Sequence, residues 1–402
     1  MKTICLAGKH DIAVNVLLYC LEHYEKKYIK CILNRNETGI NSWQKSMKWF
    51  AEKKDVEIIE LEDAYNIKDM IFFSLEFDQI IIPERFQTTE LYNIHFSLLP
   101  KYKGCYTSIL PILHDEEYTG VTLHKIRFGI DTGEIIAQEV VEIGANDTSL
   151  DLYKILIESG TKVVRDNLLK LINNTFTTTP QEKIKSTYYS RNYIDYSTLE
   201  LEVQQTGNQV KNQIRAFNFR PYQLLKWKNV EYIDAVILDK LSEEKAGTVL
   251  EDNEVFTKIA TIDYDTILYK DNFESLMEAI RKHDNVLAKK LCSSKQLIKA
   301  HGWSALTVAV YNNNMEMARY LIDEGANERV LNNNGTNLLM YAKDCYLNSG
   351  DTTMFEYMLD LDLTPDMEDY AGKNLYDYCM SNHINYIGKF SMKPDEFYRK
   401  ID

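Results

Sequence analysis

Short apolar runs alternate with helical periods through the first 170 residues, and that alternation narrows the fold more than any other feature of the chain. "TICLA" reads as a strand and "DIAVNVLLYCLEHY" as a helix with Asp11 as its candidate N-cap. "YIKCILN" is again strand-like, "SWQKSMKWFAEKK" is helical from Ser42, and "VEIIEL" is strand-like. After a short helix come "QIIIP" and "LYNIHF". This β-α-β rhythm predicts a parallel, doubly wound α/β sheet of the Rossmann-like kind. "GVTLHKIRF" and "EIIAQEVVEI" predict a strand pair joined by the turn "GIDTG", and "SLDLYKILIESGTKVVRDNLLKLI" a long closing helix.

Two further parts follow. Residues 185–268 predict a helix, "NQVKNQIRAFN", stopped before Pro221, since the residue before proline is driven out of the helical region. Four short strands come after it, making a small β-rich subdomain. Residues 269–402 are helical and repetitive. "GWSALTVAVYNNNMEMARYLIDEGAN" is answered by a second unit from Gly335 and a partial third from Gly372. A period of about 33 residues with two helices per unit is the signature of an ankyrin array. Residues 270–300 are expected to cap it. The predicted division is therefore 1–184, 185–268 and 269–402.

Composition removes several classes. The 402 residues carry 46 Lys and Arg against 60 Asp and Glu, a formal charge of −14, with no basic stripe for a nucleic acid. The seven cysteines are scattered and form no C-x-x-C pair, which argues against disulfide or zinc frameworks. His114, Asp115 and Glu116 lack a second paired ligand, so no metal site is expected. The opening "MKTICLAGKHDIAV" has charge too early for a signal peptide, and no apolar run is long enough for a membrane helix. A cytoplasmic location is expected.

"NIHFSLLPKYKG", residues 93–104, is the stretch that suggests chemistry. Asn93 and His95 lie two apart on a strand and share a face, while Ile94 and Phe96 take the other. If the apolar pair is core, the amide and imidazole face a cleft or the solvent. Alone, each of these residues has a bland reading: a strand-end histidine, a polar strand residue, and in "DTG" a hairpin-closing Asp131.

Taken jointly, Asn93-x-His95-x-Ser97-Leu98-Leu99-Pro100 with Gly104, then Gly120-Val121-Thr122-x-His124 and Asp131-Thr132-Gly133, resemble the formyltransferases that use 10-formyltetrahydrofolate. "AGKHDIAVN", "NSWQKSMKWFA" and "IRAFNFRPY" look more like the branch acting on nucleotide-linked amino sugars than the branch acting on charged initiator tRNA. The resemblance implies Asn93, His95 and Asp131 as catalytic residues. A histidine can take a proton from the attacking amine, an amide can donate to the developing oxyanion, and a carboxylate can support the protonated ring. His124 is read as structural. The resemblance also implies folate contacts around Phe73, Phe77 and Ile82, beside Asp131.

For the sugar nucleotide, Lys9 and His10 stand at a strand-to-helix junction suited to phosphate, with Phe217, Asn218 and Tyr222 as candidate base and phosphate contacts. Trp43 and Trp49 are read as core. The implied acceptor is a dTDP-linked 3-amino-3,6-dideoxyhexose for bacterial surface polysaccharide (O-antigen), and the implied assembly is a homodimer through the β subdomain. Trp303, after the first repeat glycine, is a candidate auxiliary site for a small molecule or protein. The alternatives are a formyltetrahydrofolate hydrolase and a non-catalytic nucleotide-sugar-binding ankyrin adaptor.

Overall fold

The computed structural model describes residues 1–220, 222–292, 302–361 and 363–391, and the chain divides into two compact units. Unit 1 takes residues 1–252 and 258–268, and unit 2 takes 253–257 with 269–402. The expected helix stop at Pro221 and the end of the expected capping unit, 293–300, lie outside the described residues.

Unit 1 begins with β1 (Thr3–Gly8), α1 (His10–His23), β2 (Ile29–Leu33), α2 (Met47–Lys53), β3 (Glu57–Ile58), α3 (Leu61–Ala64), β4 (Met70–Leu75) and β5 (Leu91–His95). It continues through β6 (Lys103–Gly104), α4 (Leu110–Leu113), β7 (Tyr118–Lys125), β8 (Ile135–Glu142) and α5 (Ser149–Ile172). The main sheet runs β3-β2-β1-β4-β5-β7-β8. Strands β1 to β5 pair in parallel, and β7 and β8 add an antiparallel edge. Ile94 and Phe96 face Gly160 of α5, where an added Cβ would crowd both. Asn93 and His95 therefore look out of the opposite face.

The chain leaves β1 for β2 and β3, then returns to the far side of β1 as β4. That reversal is the place where open α/β sheets hold ligands, outside the carboxyl ends of the two strands. Gly8 closes the approach there, since a Cβ on it would lie 2.0 Å from the Leu75 carbonyl oxygen.

Several local expectations are corrected. "QIIIP" is not a strand; "MIFFSL" is, because all six of its residues pair with β1 and its last four with β5. Ile80 and Ile82 are left on a loop, 78% and 43% exposed. Asp11 does not cap α1: the helix opens at Lys9 without a side-chain cap, and Asp11 accepts from the Lys45 amide at 2.9 Å. Helix α2 starts after Ser46, whose hydroxyl accepts from Trp49 N, so Trp43 lies in the loop before it.

Helix α6 (Gly207–Phe217), with a Thr206/Gln209 capping box, leads to β9 (Leu225–Trp227), β10 (Val230–Leu241), β11 (Val249–Asp252), β12 (Phe256–Ile259) and β13 (Tyr264–Lys270). They form a second sheet in the order β9-β10-β13-β12-β11.

Unit 2 is a stack of helix pairs: α7 (Phe273–Arg281) with α8 (Asn285–Leu291), α9 (Ala305–Tyr311) with α10 (Met315–Asp323), and α11 (Leu338–Ser349) with α12 (Thr353–Asp360). Helix α13 (Leu375–Ser381) follows. Two residues after each lead glycine stands an N-cap: Ser304, Asn337 and Asn374 each accept from the backbone amide three residues on. The lead glycines have positive φ, and a Cβ on Gly335 would strike Tyr370 of the next turn. Spacing, cap and close approach together make the repeat.

Candidate active site

One strand along from the reversal, β5 carries Asn93 opposite Ser74 of β4 and opposite His124 of β7. The turn after β7 brings Asp131 back over this pair, with Asp131 itself in the left-handed region at φ 51°. His95 Nδ1 lies 3.5 Å from Asp131 Oδ2, and Asn93 Nδ2 lies 3.4 Å from Asp131 Oδ1. The amide, imidazole and carboxylate read from the sequence thus meet in space.

The hydrogen bonds fix the tautomers. His95 Nε2 is 2.7 Å from the Tyr102 carbonyl, an acceptor only, so Nε2 carries the proton and Nδ1 keeps a lone pair toward Asp131. His124 Nδ1 is 2.8 Å from the Lys125 carbonyl, which leaves its Nε2 to accept from Asn93 Nδ2 at 3.1 Å. The ring of His95 is held by the Tyr102 carbonyl rather than by Asp131, whose contact is the longer one. Tyr102 is anchored in turn, its hydroxyl reaching Glu116 at 2.9 Å and His114 at 3.2 Å. The side chains of His114 and Glu116 thus serve Tyr102, while Asp115 accepts from Asn208 and Asn212.

Charge follows geometry. Burial pushes the His95 pKa below its ordinary value, with Asp131 opposing and His124 and Lys103 assisting. Burial also works against ionised Asp131, but His95, His124 and the Gly104 amide (2.9 Å to Oδ2) outweigh it and hold the carboxyl well below the usual range. The site pairs a fixed carboxylate with an imidazole that is neutral at physiological pH.

The crevice at the reversal has a different character. Lys9 and His10 are half-buried there, His10 in the left-handed region, and burial with the Lys9 charge pushes the His10 pKa down to about 3. Glu76, just past β4, accepts from the Tyr153 hydroxyl at 2.6 Å, and burial pushes its pKa up to about 7. Trp43 meets Phe219 and Tyr222 edge-on at 5.4 and 5.6 Å, while Phe219 and Tyr222 stack at 5.4 Å. Tyr222 is 65% exposed, an aromatic surface at the mouth.

Not every candidate reaches a surface. Phe73 is fully buried against Tyr92, because β4 is a central strand, and so it is core. Phe77 packs partly on the core beneath the loop that carries Ile82. Phe217 is buried. Asn218 donates to the Ile233 carbonyl at 2.8 Å and accepts from Ser149 through its own carbonyl, so it ties α6 to β10 and α5. Trp303 is half-buried against Tyr341 (5.0 Å) and Tyr311 (5.6 Å) of its own repeats. The sequence reading takes His124 as structural and Trp43 as core, and does not single out Tyr102 or Phe219. Alternation along "GVTLHK" does place His124 opposite Asn93; the other three depend on loops whose paths no local pattern fixes.

The chain is similar to known proteins along both of its units. Residues 39–168 match the Formyl transferase family, and residues 276–371 match ankyrin repeats in three copies. The solved structure of WlaRD, a sugar 3N-formyl transferase in the presence of dTDP and 5-N-formyl-THF, is 43% identical with a TM-score of 0.64, covering 68% of this chain and 98% of its own. The N-formyltransferase of Helicobacter canadensis, in complex with folinic acid and dTDP-3-aminofucose, is 41% identical with a TM-score of 0.63, covering 67% and 100%. The methionyl-tRNA formyltransferase of Caldicellulosiruptor saccharolyticus is 27% identical over 271 residues, 62% of this chain and 86% of its own. The chain belongs to the folate-dependent sugar N-formyltransferases and carries ankyrin repeats toward its C-terminal end.

Proposed function

We propose that the protein moves a formyl group from 10-formyltetrahydrofolate to the amine of a dTDP-linked 3-amino-3,6-dideoxyhexose, in the cytoplasm, for surface-polysaccharide synthesis. The meeting of Asn93, His95 and Asp131 beside the crevice at the strand reversal carries this reading. The two relatives above 40% identity, both solved with dTDP or a dTDP-sugar and a formyl-folate, support the acceptor and donor classes. Free cysteines throughout agree with a reducing compartment.

The chain's own groups perform the following work. His95 Nδ1 takes the proton as the amine nitrogen bonds to the formyl carbon, and Asp131 stabilises the resulting imidazolium. Asn93 turns its longer contact, the one to Asp131, toward the formyl oxygen and donates to it while His124 holds the amide plane. The proton then leaves with the folate nitrogen as the C–N bond breaks, so amine and formyl donor become formamide and tetrahydrofolate. No covalent enzyme intermediate is needed.

The flat donor suits apolar side chains left exposed on two loops: Phe128 and Ile130 on the Asp131 turn, and Ile80 and Ile82 on the loop after β4. Isolated large apolar side chains on loops beside a polar cluster are what a planar heterocycle would cover. Lys9 would face the diphosphate, and Tyr222 with Trp43 the base. The second sheet and its turns leave Val236, Leu241, Ile262 and Tyr264 exposed, which supports dimerisation through it. The half-buried Trp303 and the partly exposed Tyr311 support an auxiliary aromatic site on the repeats. Titrating the full chain and its Trp303→Ala variant with dTDP tests that site: a second binding event present only in the parent supports it, and identical isotherms remove it.

The function is tested by assaying folate-dependent formylation across a panel of dTDP- and UDP-linked amino sugars. Turnover confined to dTDP-3-amino sugars supports the reading, and a preference for 4-amino or UDP-linked acceptors overturns it.

A further inference from the structure

After α5 the chain runs back over the site and touches both of its walls. Thr179 exchanges two backbone hydrogen bonds of 2.8 Å with Ile135, just past the Asp131 turn. Thr187 accepts from the Tyr102 amide at 2.7 Å through its hydroxyl, and the short strand 188–189 pairs with β6, which contains Gly104. Between these anchors stands Gln181. Its Nε2 donates to the carbonyls of both Asp131 (2.8 Å) and Gly133 (2.7 Å). Its Oε1 is buried and has no partner among the described residues. A side-chain amide with an unused acceptor and two well-made donor bonds is present for its donors.

Those bonds reach the Asp131 side of a turn whose other ties lie around it: the Thr132 hydroxyl donates to the Phe128 and Gly129 carbonyls (2.9 and 3.2 Å), and Arg127 pairs with Glu134 (3.1 Å). Asp131 sits at φ 51°, a left-handed conformation disfavoured for a residue with a Cβ and helped by bonds to its surroundings. Phe128 and Ile130 on the same turn are exposed and give it little packing. Its side chain reaches across to His95, His124, Asn93 and the Gly104 amide, so a small backbone shift would move the carboxylate away from all four.

We propose that Gln181 is a positioning residue for formyl transfer: by bonding the carbonyls on either side of Thr132, it holds the Asp131 carboxylate against His95. The segment 179–189 acts as a clasp, fixing the spacing between the aspartate turn and the loop whose Tyr102 carbonyl orients the same histidine. The inference rests on His95 as the base of the proposed reaction.

The groups that face His95 are Asp131, His124, Lys103 and the Tyr102 carbonyl. Only Asp131 is held by Gln181. Gln181→Met keeps the length of the side chain and removes both donors. In the substrate-free protein, the His95 imidazole followed by NMR across pH should titrate lower in Gln181→Met than in the parent, because a displaced carboxylate no longer favours the charged ring. With substrates, kcat should fall tenfold or more while KM for the sugar nucleotide stays within about twofold. A purely structural role would lower the folded fraction and leave the His95 titration in place.

An unchanged titration with parental kcat overturns the inference. A parent enzyme that forms no formamide overturns the underlying reading instead. If the Met variant fails to fold, Gln181→Glu serves. It keeps one donor while protonated and loses it on ionising, so its kcat relative to parent must fall with rising pH; a constant ratio overturns the proposal.

Discussion

The base chemistry of the site falls on one atom of His95. With Nε2–H committed to the Tyr102 carbonyl, Nδ1 is the basic position, and burial keeps it neutral at pH 7. A base must be unprotonated, so activity falls only on the acid side of its pKa. The acid limb of kcat/KM is expected below the ordinary imidazole range, and a limb above pH 7 would contradict the assignment. His95→Ala should slow turnover by two orders of magnitude or more with sugar-nucleotide binding near normal, checked by steady-state kinetics beside calorimetric titration. Glu76 gives a stability prediction. Its folded pKa, about 7, lies above the ordinary value of 4.5, so the folded state holds the extra proton between those limits. Stability contributed by that proton is lost as pH rises through about 7. Glu76→Gln should therefore flatten the decline in Tm between pH 5 and 8; an unaltered slope would show that Glu76 ionises at no cost.

At the scale of elements, the Thr148/Asp151 capping box starts α5, the helix that Ile94 and Phe96 pack against. Thr148→Ala should cost about 1 kcal/mol in urea unfolding and leave kcat unchanged at 25 °C. Gly8→Ala should cost at least ~3 kcal/mol, since its Cβ meets the Leu75 carbonyl of a central strand that cannot yield. Elements with strong periodicity, such as α1, α5 and the repeat helices, could be read from the chain, and so could the Asn93-x-His95 strand. The central strand β4 was hidden because "MIFFSLEFDQIIIP" holds two apolar runs, and only pairing with β1 and β5 decides between them. Asp131 was legible as a turn carboxylate. Tyr102, Trp43 and Phe219 were not, since long-range loop paths place a carbonyl and two rings without leaving a local pattern.

At the scale of the whole molecule, a formyl-transferring unit and a repeat unit share one chain, and among the described residues no helix is long and apolar enough to cross a membrane. The proposed division of labour is chemistry in the first unit and recognition in the second. Incubating the purified full-length chain with 10-formyltetrahydrofolate, with and without dTDP-3-amino-3,6-dideoxyglucose, and following both products by mass spectrometry bears on it most directly. Formamido-sugar nucleotide and tetrahydrofolate are expected in equal amounts, both absent without the amino sugar. Tetrahydrofolate and free formate released without acceptor, or an untouched amino sugar, would contradict it.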